Sequence, residues 1–348
     1  MRKVENKFII IGNTVGNKNN GPAGVIKGVI AGFNEIGYEN YITVLKDDNS
    51  KKFIFKLIKV ILCTENSVIN VHTDGYIIPM MVLLLRIFNR KNRYYLTCHG
   101  VCAIERDFNI KIPLKNYLLE RVLYRKFPNL ICVSEMERKD VLKCYGRKDN
   151  VIVIENGTDA WKYVEMERSQ YEKNIKIMSL CGTSKNKGFE EFCELIRYLK
   201  DNRIEVEADV FGTGNLLEFE NRVKYYDVET EMKFNGYIDN KEQVYEKIKA
   251  HDILVCFSHY DTFNVAILEA IALGNICFCS DTCGASEIIR EGKFYPIFEI
   301  NKKNYDDLMK FIENKFEPLK VTSEKYKELK EKYSWKGIAK KYIELLNI

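Results

Sequence analysis

No stretch of this sequence is both long and apolar enough to cross a membrane. The longest apolar run, YIIPMMVLLLRIF at 76–88, is shorter than a membrane span and carries Pro79 near its start. The first residues, MRKVENKF, lead only into a short apolar segment and lack the pattern of a secretory signal peptide. We therefore expect a cytoplasmic protein in which residues 76–88 form a helix that is buried or rests on an interface.

Metal-ligand spacings are also missing. The four histidines and eleven cysteines form no zinc-ligand pattern, although Cys277, Cys279 and Cys283 lie close together. The cysteines are odd in number and lie mostly in apolar stretches, which favours buried reduced thiols over a disulfide framework. No D-x-D cluster follows a strand-like segment, because KDDNS at 46–50 has the composition of a polar turn. The sequence therefore predicts no metal cofactor.

The charge of the chain is unevenly distributed. The net charge is +5, but residues 1–160 contain 25 Lys and Arg against 16 Asp and Glu, whereas residues 161–348 contain 29 against 33. In KKFIFKLIKV at 51–60, lysines and apolar residues recur at helical spacing. This pattern favours a basic amphipathic helix that meets an anionic membrane surface, or a helix whose lysines simply face water. No nucleic-acid motif accompanies the lysines, so nucleic acid is not an expected partner.

Strand-like and helix-like segments alternate along all 348 residues, a length that suits two domains. One series runs from KFIIIG at 7–12 to VIVIENGTD at 151–159, and a second runs from IKIMSLCGT at 175–183 to NICFCSD at 275–281. The alternation predicts parallel strands joined by crossover helices. A polar segment at 160–174 separates the series, so the predicted fold class is α/β with two doubly wound domains. Ligands of such domains bind beyond the carboxyl ends of the strands.

The segment DTFNVAILEA at 261–270 places two carboxylates, Asp261 and Glu269, at the ends of an apolar run. The residues VAILEAIALG predict a buried helix that stops at Gly274. The start of such a helix attracts phosphate, because its first N–H groups have no partners. Carboxylates nearby accept hydrogen bonds from sugar or ribose hydroxyls. The combination fits a nucleotide sugar, and the alternative is a helix-capping Asp261 with a surface Glu269.

Two basic side chains also follow strand-like segments. Lys187 lies in CGTSKNKG near the start of a predicted helix, where a lysine can neutralise a diphosphate leaving group. His99 lies in LTCHG and can bond a sugar hydroxyl, a phosphate or the backbone, and His72 in NVHTDG ends a neighbouring strand. Surface lysines and backbone-bonded histidines are the alternative interpretation.

Glycine-rich turns complete the set of candidates. We interpret GNTVGNKNNGPAG at 12–24, with Gly21 and Gly24, as a mobile loop that closes on an acceptor. The segment FGTGN at 211–215 allows close backbone approach to a ligand, and NGY at 235–237 can hold a nucleobase edge.

The order of these motifs resembles that of the retaining glycosyltransferases of family 4 that build bacterial surface polysaccharides. The motifs in this sequence are NGPAG, TCHG, VSE, IENGTD, LCGTSKNKG, FGTGN, FNGY and DTFNVAILEAIALGNICFCSDTCGASEII. The resemblance implies the GT-B fold, in which two Rossmann-like domains face each other across a cleft. It places an acceptor-side domain at 1–160, a nucleotide-sugar domain at 161–330, and a C-terminal helix at 331–348 that packs back on the first domain.

The resemblance also implies a role for each matching residue. DTFNVAILE matches the E-x7-E element of the family, so Asp261, which stands where glutamate is usual, would contact the transferred sugar and Glu269 the ribose. Lys187 matches the lysine that binds the diphosphate, and His99 the histidine near the sugar. Asp261, Lys187 and His99 are therefore the candidate catalytic residues. The other candidate donor-binding residues are Gly182, Thr183 (where arginine is frequent), Gly212, Gly236, Tyr237, Phe263, Asn264, Val265 and Ala266.

The implied activity is transfer of a hexose from a nucleoside diphosphate sugar to a glycan or lipid-linked acceptor, with retention of the anomeric configuration. No cofactor is expected, because Lys187 and the helix start near 264–266 would stabilise the diphosphate. The expected location is the cytoplasm, with an anionic membrane surface as a partner at the inner face.

Three alternatives stay open. An epimerase or phosphorylase could use the same fold, and a glycosyltransferase-like protein could bind sugar nucleotides without catalysis. An NAD-dependent oxidoreductase would use the loop at 12–24, but it needs an acidic residue at the end of the second strand, where YITVL is followed by Lys46.

Overall fold

The computed structural model describes residues 4–13, 21–46, 50–164, 175–314 and 323–347. The chain divides into two compact units. Unit 1 comprises Met1–Gly157 and Glu331–Ile348, and unit 2 comprises Thr158–Lys330. None of the helices in the described ranges has both the length and the apolar character needed to cross a membrane.

Unit 1 alternates strands and helices from its first described residues. Its strands are β1 Val4–Glu5, β2 Phe8–Asn13, β3 Tyr41–Lys46, β4 Thr64–Glu65, β5 Val68–His72, β6 Arg93–Thr97, β7 Asn129–Cys132 and β8 Val151–Val153. Its helices are α1 Gly21–Glu35, α2 Ser50–Cys63, α3 Ile77–Leu85, α4 Cys102–Asp107, α5 Leu114–Lys126 and α6 Glu135–Tyr145. A 3₁₀ turn, Arg86–Phe88, extends α3.

The main sheet of unit 1 is parallel, with strand order β3-β2-β5-β6-β7-β8, and β1 pairs with β4 beside it. The strands β2 and β5 are buried almost throughout, as expected for strands covered on both faces. From β2 the chain moves toward one edge of the sheet to form β3. From β3 it crosses back over β2 and forms the remaining strands one after another toward the opposite edge. Right-handed crossovers therefore place α1 on one face of the sheet and α2, α3, α5 and α6 on the opposite face.

Unit 2 repeats this architecture. Its strands are β9 Ile175–Ser179, β10 Val206–Phe211, β11 Met232–Gly236, β12 Ile253–Cys256, β13 Ile276–Ser280 and β14 Ile297–Phe298. Its helices are α7 Phe189–Asp201, α8 Leu216–Tyr225, α9 Lys241–Ala250, α10 Val265–Ala272, α11 Ser286–Gly292 and α12 Tyr305–Glu313, and they are followed by α13 Glu324–Tyr333.

The sheet of unit 2 is also parallel, with strand order β11-β10-β9-β12-β13-β14. The chain leaves β9 toward β10 and leaves β12 toward β13, so the direction of winding reverses between β9 and β12. In such a sheet, the loops after the two strands at the reversal diverge and leave a crevice where ligands bind. Lys187 follows β9, and Asp261 follows β12.

The last helix, α14 Trp335–Glu344, belongs to unit 1 and packs on α1. Two glycines of α1 allow this close approach. A Cβ at Gly28 would lie 2.0 Å from the Trp335 indole, and one at Gly32 would lie 2.2 Å from the Trp335 carbonyl oxygen. Ile338 and Tyr342 join Phe8 and Phe33 in one buried cluster.

The predicted α/β architecture of two Rossmann-like domains is confirmed, with two six-stranded parallel sheets flanked by helices. One prediction about the first glycine-rich segment is wrong. Gly21 and Gly24 lie in the first turn of α1 and not in a loop. Pro22 is compatible with this position, because the first helical turn needs no N–H donor there. The predicted loops at 14–20 and 47–49 lie outside the described residues.

The polar separator predicted at 160–174 begins inside the fold of unit 2. Ala160–Lys162 form a 3₁₀ turn in which Trp161 is buried, and its indole packs edge-on against the ring of Tyr326. Residues 165–174 lie outside the described ranges. All eleven cysteines lie within the described ranges, and none of them forms a disulfide there.

Candidate active site

Lys187 and Asp261 meet at the point where the winding of the unit 2 sheet reverses. Lys187 Nζ lies 2.8 Å from Asp261 Oδ2. The lysine belongs to the 3₁₀ turn Lys185–Lys187, which packs over the end of β12, where the His259 N–H donates to the Asn186 carbonyl. Gly188 makes the packing possible: its φ is +81°, and a Cβ there would lie 2.1 Å from the Phe257 carbonyl oxygen. The carboxylate of Asp261 raises the pKa of Lys187, so this cation is retained at neutral pH.

Asp261 also caps the turn that leads into α10. Its Oδ1 accepts a hydrogen bond from the Asn264 N–H at 2.8 Å and one from the Phe263 N–H at 3.3 Å. Asn264 has a left-handed backbone, with φ +63°, a conformation that asparagine tolerates better than most residues. Asp261 therefore holds the turn before α10 and does not cap the helix itself, whose N-cap is Asn264. The same carboxylate binds Lys187.

The first turn of α10 faces this cluster with backbone donors. Val265 and Ala266 are its first two residues, and N–H groups at these positions have no acceptor within a helix. Both residues are partly exposed. A phosphate or sugar oxygen placed here would gain hydrogen bonds and the favourable potential of the helix start. Phe263, by contrast, is buried, and its side chain supports the turn.

Glu269 is buried in α10 and is not a surface residue. Its Oε1 lies 2.5 Å from Lys241 Nζ, at the start of α9, while its Oε2 has no hydrogen-bond partner among the described residues. Burial raises the pKa of Glu269, and the ammonium group of Lys241 opposes this shift. A buried carboxylate oxygen with spare capacity is an acceptor for a ligand hydroxyl.

Lys241 is a site residue that the sequence did not reveal. It stands 28 positions before Glu269, directly after the N-cap Asn240, and its ammonium group also lies 5.4 Å from the centre of the Tyr245 ring. A lysine in the first turn of a surface helix carries no signal that distinguishes it from a solvated residue.

The glycine turns of unit 2 bind each other. Gly182 has φ +57°, and a Cβ there would lie 1.9 Å from the Thr213 carbonyl oxygen, while the Gly182 N–H donates to the Phe211 carbonyl. The N–H of Gly212 donates to the Gly236 carbonyl at 2.8 Å. Thr183 is buried, and its hydroxyl donates to Glu218 Oε2 at 3.0 Å. These residues fix the backbone of three neighbouring strand ends. Tyr237, which follows Gly236, is exposed.

In unit 1, His72 and His99 form a pair at the ends of β5 and β6. His72 Nδ1 lies 3.0 Å from His99 Nε2, and the rings stack with their centres 5.3 Å apart. Burial lowers the pKa of His99 to about 3. The pKa of His72 lies well below its ordinary value, because His72 is buried and because His99 is its neighbour. Both imidazoles are therefore neutral at physiological pH. His99 can bond a hydroxyl, but it supplies no positive charge.

Within the described ranges, the candidate site side chains fall into two sets, one in each unit. Unit 2 brings together Lys187, Asp261 and the start of α10, with Glu269 and Lys241 one turn further along, and unit 1 brings together His72 and His99. Gly21 and Gly24 belong to neither set. Among the described residues, no group of three or more His, Cys, Asp or Glu side chains is arranged to hold a metal ion.

Two family models match this sequence. Glycosyl transferases group 1 matches residues 165–346, and Glycosyltransferase Family 4 matches residues 28–162. A probable sucrose-phosphate synthase from Thermosipho melanesiensis is 27% identical over 292 residues, which are 73% of this chain and 64% of that protein. A mannosylfructose-phosphate synthase from Agrobacterium fabrum is 22% identical over 191 residues, which are 49% of this chain and 41% of that protein. This chain therefore spans less than two thirds of either relative.

Solved structures share the fold over almost the whole chain. A sucrose-phosphate synthase from Thermosynechococcus elongatus has a TM-score of 0.76 at 12% identity, covering 98% of both chains. Anabaena Alr3699/HepE in complex with UDP-glucose has a TM-score of 0.71 at 14% identity, covering 97% of this chain and 99% of that one. At such identities, the likeness shows the fold alone.

Proposed function

This chain belongs to the glycosyl transferases of group 1 and has the GT-B fold, and we propose that it transfers a hexose from a nucleoside diphosphate sugar to a glycan or lipid-linked acceptor with retention of the anomeric configuration. The observation that carries the proposal is the Lys187–Asp261 pair beside the start of α10. A cation, a carboxylate and the start of a helix thus lie together at the reversal of winding between β9 and β12, which is where doubly wound sheets bind ligands. The UDP and UDP-glucose complexes of Alr3699/HepE support a donor of this class.

Lys187 and the start of α10 act on the leaving group. Breaking the bond between a sugar and a diphosphate builds negative charge on the departing oxygen. Fixed positive charge and N–H donors stabilise that charge more in the transition state than in the bound donor. In the proposed donor complex, Lys187 shifts from Asp261 to the diphosphate, and the N–H groups of Val265 and Ala266 bind its oxygens. This arrangement needs no metal ion.

Glu269 anchors the nucleoside end of the donor. Its unpartnered Oε2 accepts a hydrogen bond from a ribose hydroxyl, while Lys241 holds Oε1 and favours the ionised form. Tyr237 and the main chain at Gly236 contact the base. Asp261 hydrogen-bonds a hydroxyl of the transferred sugar, which helps to fix the anomeric carbon for attack by the acceptor.

The direct test is to incubate the full chain with UDP-, GDP- and dTDP-hexoses and to follow nucleoside diphosphate release. We expect one donor to be hydrolysed slowly without an acceptor and faster with one, and the released sugar to keep its anomeric configuration by NMR. Activity should persist in excess chelator. A donor that is isomerised but not cleaved would instead identify an epimerase, and tight binding without turnover would identify a binding protein. Complete, reversible loss of activity in EDTA would contradict the proposed metal-free site.

A further inference from the structure

Three neighbouring helices of unit 1 leave large apolar side chains in solvent. The helix α3 contacts both α2 and α5, and all three cover the same face of the sheet. Phe55 of α2 is 70% exposed, and Phe88, in the turn after α3, is 78% exposed. Leu84 and Ile87 near Phe88, and Leu118 and Val122 on α5, are also exposed. We call these six side chains the outer apolar face. Exposed apolar residues so grouped mark an interaction site more often than single ones do.

This face is distinct from the apolar stripe that the sequence pattern of α2 suggests. Phe53, Leu57 and Ile61 form that stripe, and all three are buried against the unit 1 core. The amphipathic pattern of α2 is therefore satisfied within the protein. The exposure of Phe55, beside the exposed Lys56, is a further feature that core packing does not explain.

The same segments carry positive charge and almost no negative charge. Together α2, α3, the turn Arg86–Phe88 and α5 contain nine Lys and Arg and a single acid, Glu120. Glu120 is fully buried, where it accepts hydrogen bonds from Tyr76 and Tyr145. Lys51, Lys56 and Lys59 of α2, and Lys115 of α5, are exposed. The described surface of these helices therefore presents apolar side chains and cations without carboxylates.

We infer that the outer apolar face docks on an anionic lipid bilayer. Apolar side chains that enter the headgroup region, surrounded by lysines that contact anionic lipid, give two additive contributions to binding. A second copy of this chain fits the same surface poorly, because a symmetric contact would bring two positively charged surfaces together. A protein partner would need an acidic surface with matching apolar pockets. An anionic bilayer accepts both cations and apolar side chains without a specific fit. The inference rests on unit 1 alone and not on the transfer reaction.

Flotation of the full chain with vesicles tests this inference. Vesicles of phosphatidylcholine and phosphatidylglycerol in equal parts should carry the protein upward at low salt, and vesicles of phosphatidylcholine alone should carry much less. The variant Lys51→Glu/Lys56→Glu/Lys59→Glu should lose about five-fold in partition for each charge removed. The variant Phe55→Ser/Phe88→Ser should lose about ten-fold or more, even at low salt.

Matched controls come from exposed residues of unit 2. Lys224→Glu/Lys247→Glu changes surface charge, and Leu217→Ser/Tyr225→Ser removes exposed apolar area, so neither should alter flotation. All substituted side chains are exposed, and unchanged circular dichroism would show that the variants fold. Equal failure to float with both kinds of vesicle would overturn the inference. So would a dimer in sedimentation experiments that Phe55→Ser/Phe88→Ser converts to a monomer. Either result would leave transfer to a soluble acceptor unaffected.

Discussion

At the scale of single residues, two acids from one short segment have different environments. Both Asp261 and Glu269 stand out in the sequence because they bracket an apolar run. Only the structure shows that Glu269 is buried against Lys241, while Asp261 holds Lys187 and a backbone turn. Sequence patterns locate such residues through the helix between them. They do not reveal partners that lie 28 and 74 positions away, because the strand order decides those contacts.

Removing the Glu269 carboxylate should weaken nucleotide binding. A hydrogen bond to a charged group is worth about 1.5–3 kcal/mol, so Glu269→Ala should cost roughly ten- to hundred-fold in nucleoside diphosphate affinity by calorimetry. The exposed Glu220→Ala is the control and should bind like wild type. A 2′,3′-dideoxy nucleotide should lose affinity on wild type but not on Glu269→Ala. If Glu269→Ala still distinguished the two nucleotides, the ribose assignment would be wrong.

Lys187 and Asp261 should have separable effects. Lys187→Ala should lower turnover at least about ten-fold, because charge on the diphosphate grows in the transition state. Asp261→Asn keeps an oxygen that accepts from the Asn264 N–H, and it frees Lys187, so nucleoside diphosphate binding should not weaken while transfer falls. Asp261→Ala should additionally lose about 1 kcal/mol of stability, because the hydrogen bonds that hold the turn before α10 are removed. Steady-state kinetics and thermal unfolding of the three variants measure these effects. Weaker nucleotide binding by Asp261→Asn would contradict the proposed roles.

At the scale of elements, the apolar runs predicted central strands such as β2 and β5 well, because a strand buried on both faces must be apolar throughout. The strands they missed, β1, β4 and β14, are two residues long and too short to show a pattern. The glycine-rich composition of residues 12–24 predicts a loop that includes Gly21 and Gly24. The structure begins α1 at Gly21, so composition alone misplaced the boundary between loop and helix.

The contact between α1 and α14 gives a test at this scale. A Cβ at position 32 would collide with the Trp335 backbone, so Gly32→Ala should destabilise the protein by about 1–3 kcal/mol. A Cβ at Gly24, in the same helix, meets nothing within 4 Å. Gly24→Ala should therefore stabilise by about 0.5–1 kcal/mol, because alanine favours helix over glycine. Thermal or urea unfolding compares the two variants directly. Equal effects of the two substitutions would show that α14 does not pack on α1 as described.

At the scale of the whole molecule, buried titratable groups set how stability depends on pH. His99 has a pKa of about 3 in the folded state, below the ordinary 6.5, so the unfolded chain binds this proton more readily. Its contribution to stability is full above about pH 6.5 and is lost as the pH falls toward 3, at roughly 1.4 kcal/mol per pH unit. His72 acts in the same direction. Burial raises the pKa of Glu120, which acts in the opposite direction, so its contribution is lost as the pH rises.

Substitution of His99 should therefore flatten the acid side of the stability curve. Free energies of unfolding measured by urea between pH 7 and 4 should fall less steeply for His99→Gln than for wild type. Glu120→Gln serves as the comparison and should retain the acid-side loss, because it leaves both histidines in place. An identical pH slope for His99→Gln and wild type would mean that the surroundings of His99 do not disfavour its charged form.

The path of the chain through unit 1 has a consequence for the order in which the protein is made. Phe8 and Phe33 lie in the same cluster as Trp335, Ile338 and Tyr342, yet the whole of unit 2 is encoded between them. During synthesis, residues 158–330 leave the ribosome before α14 exists. The surface of α1 around Gly28 and Gly32 therefore stays exposed to solvent until residues 335–345 are translated. A messenger RNA truncated after residue 330 would yield a chain in which this apolar surface remains exposed, and chaperones bind such exposed surfaces.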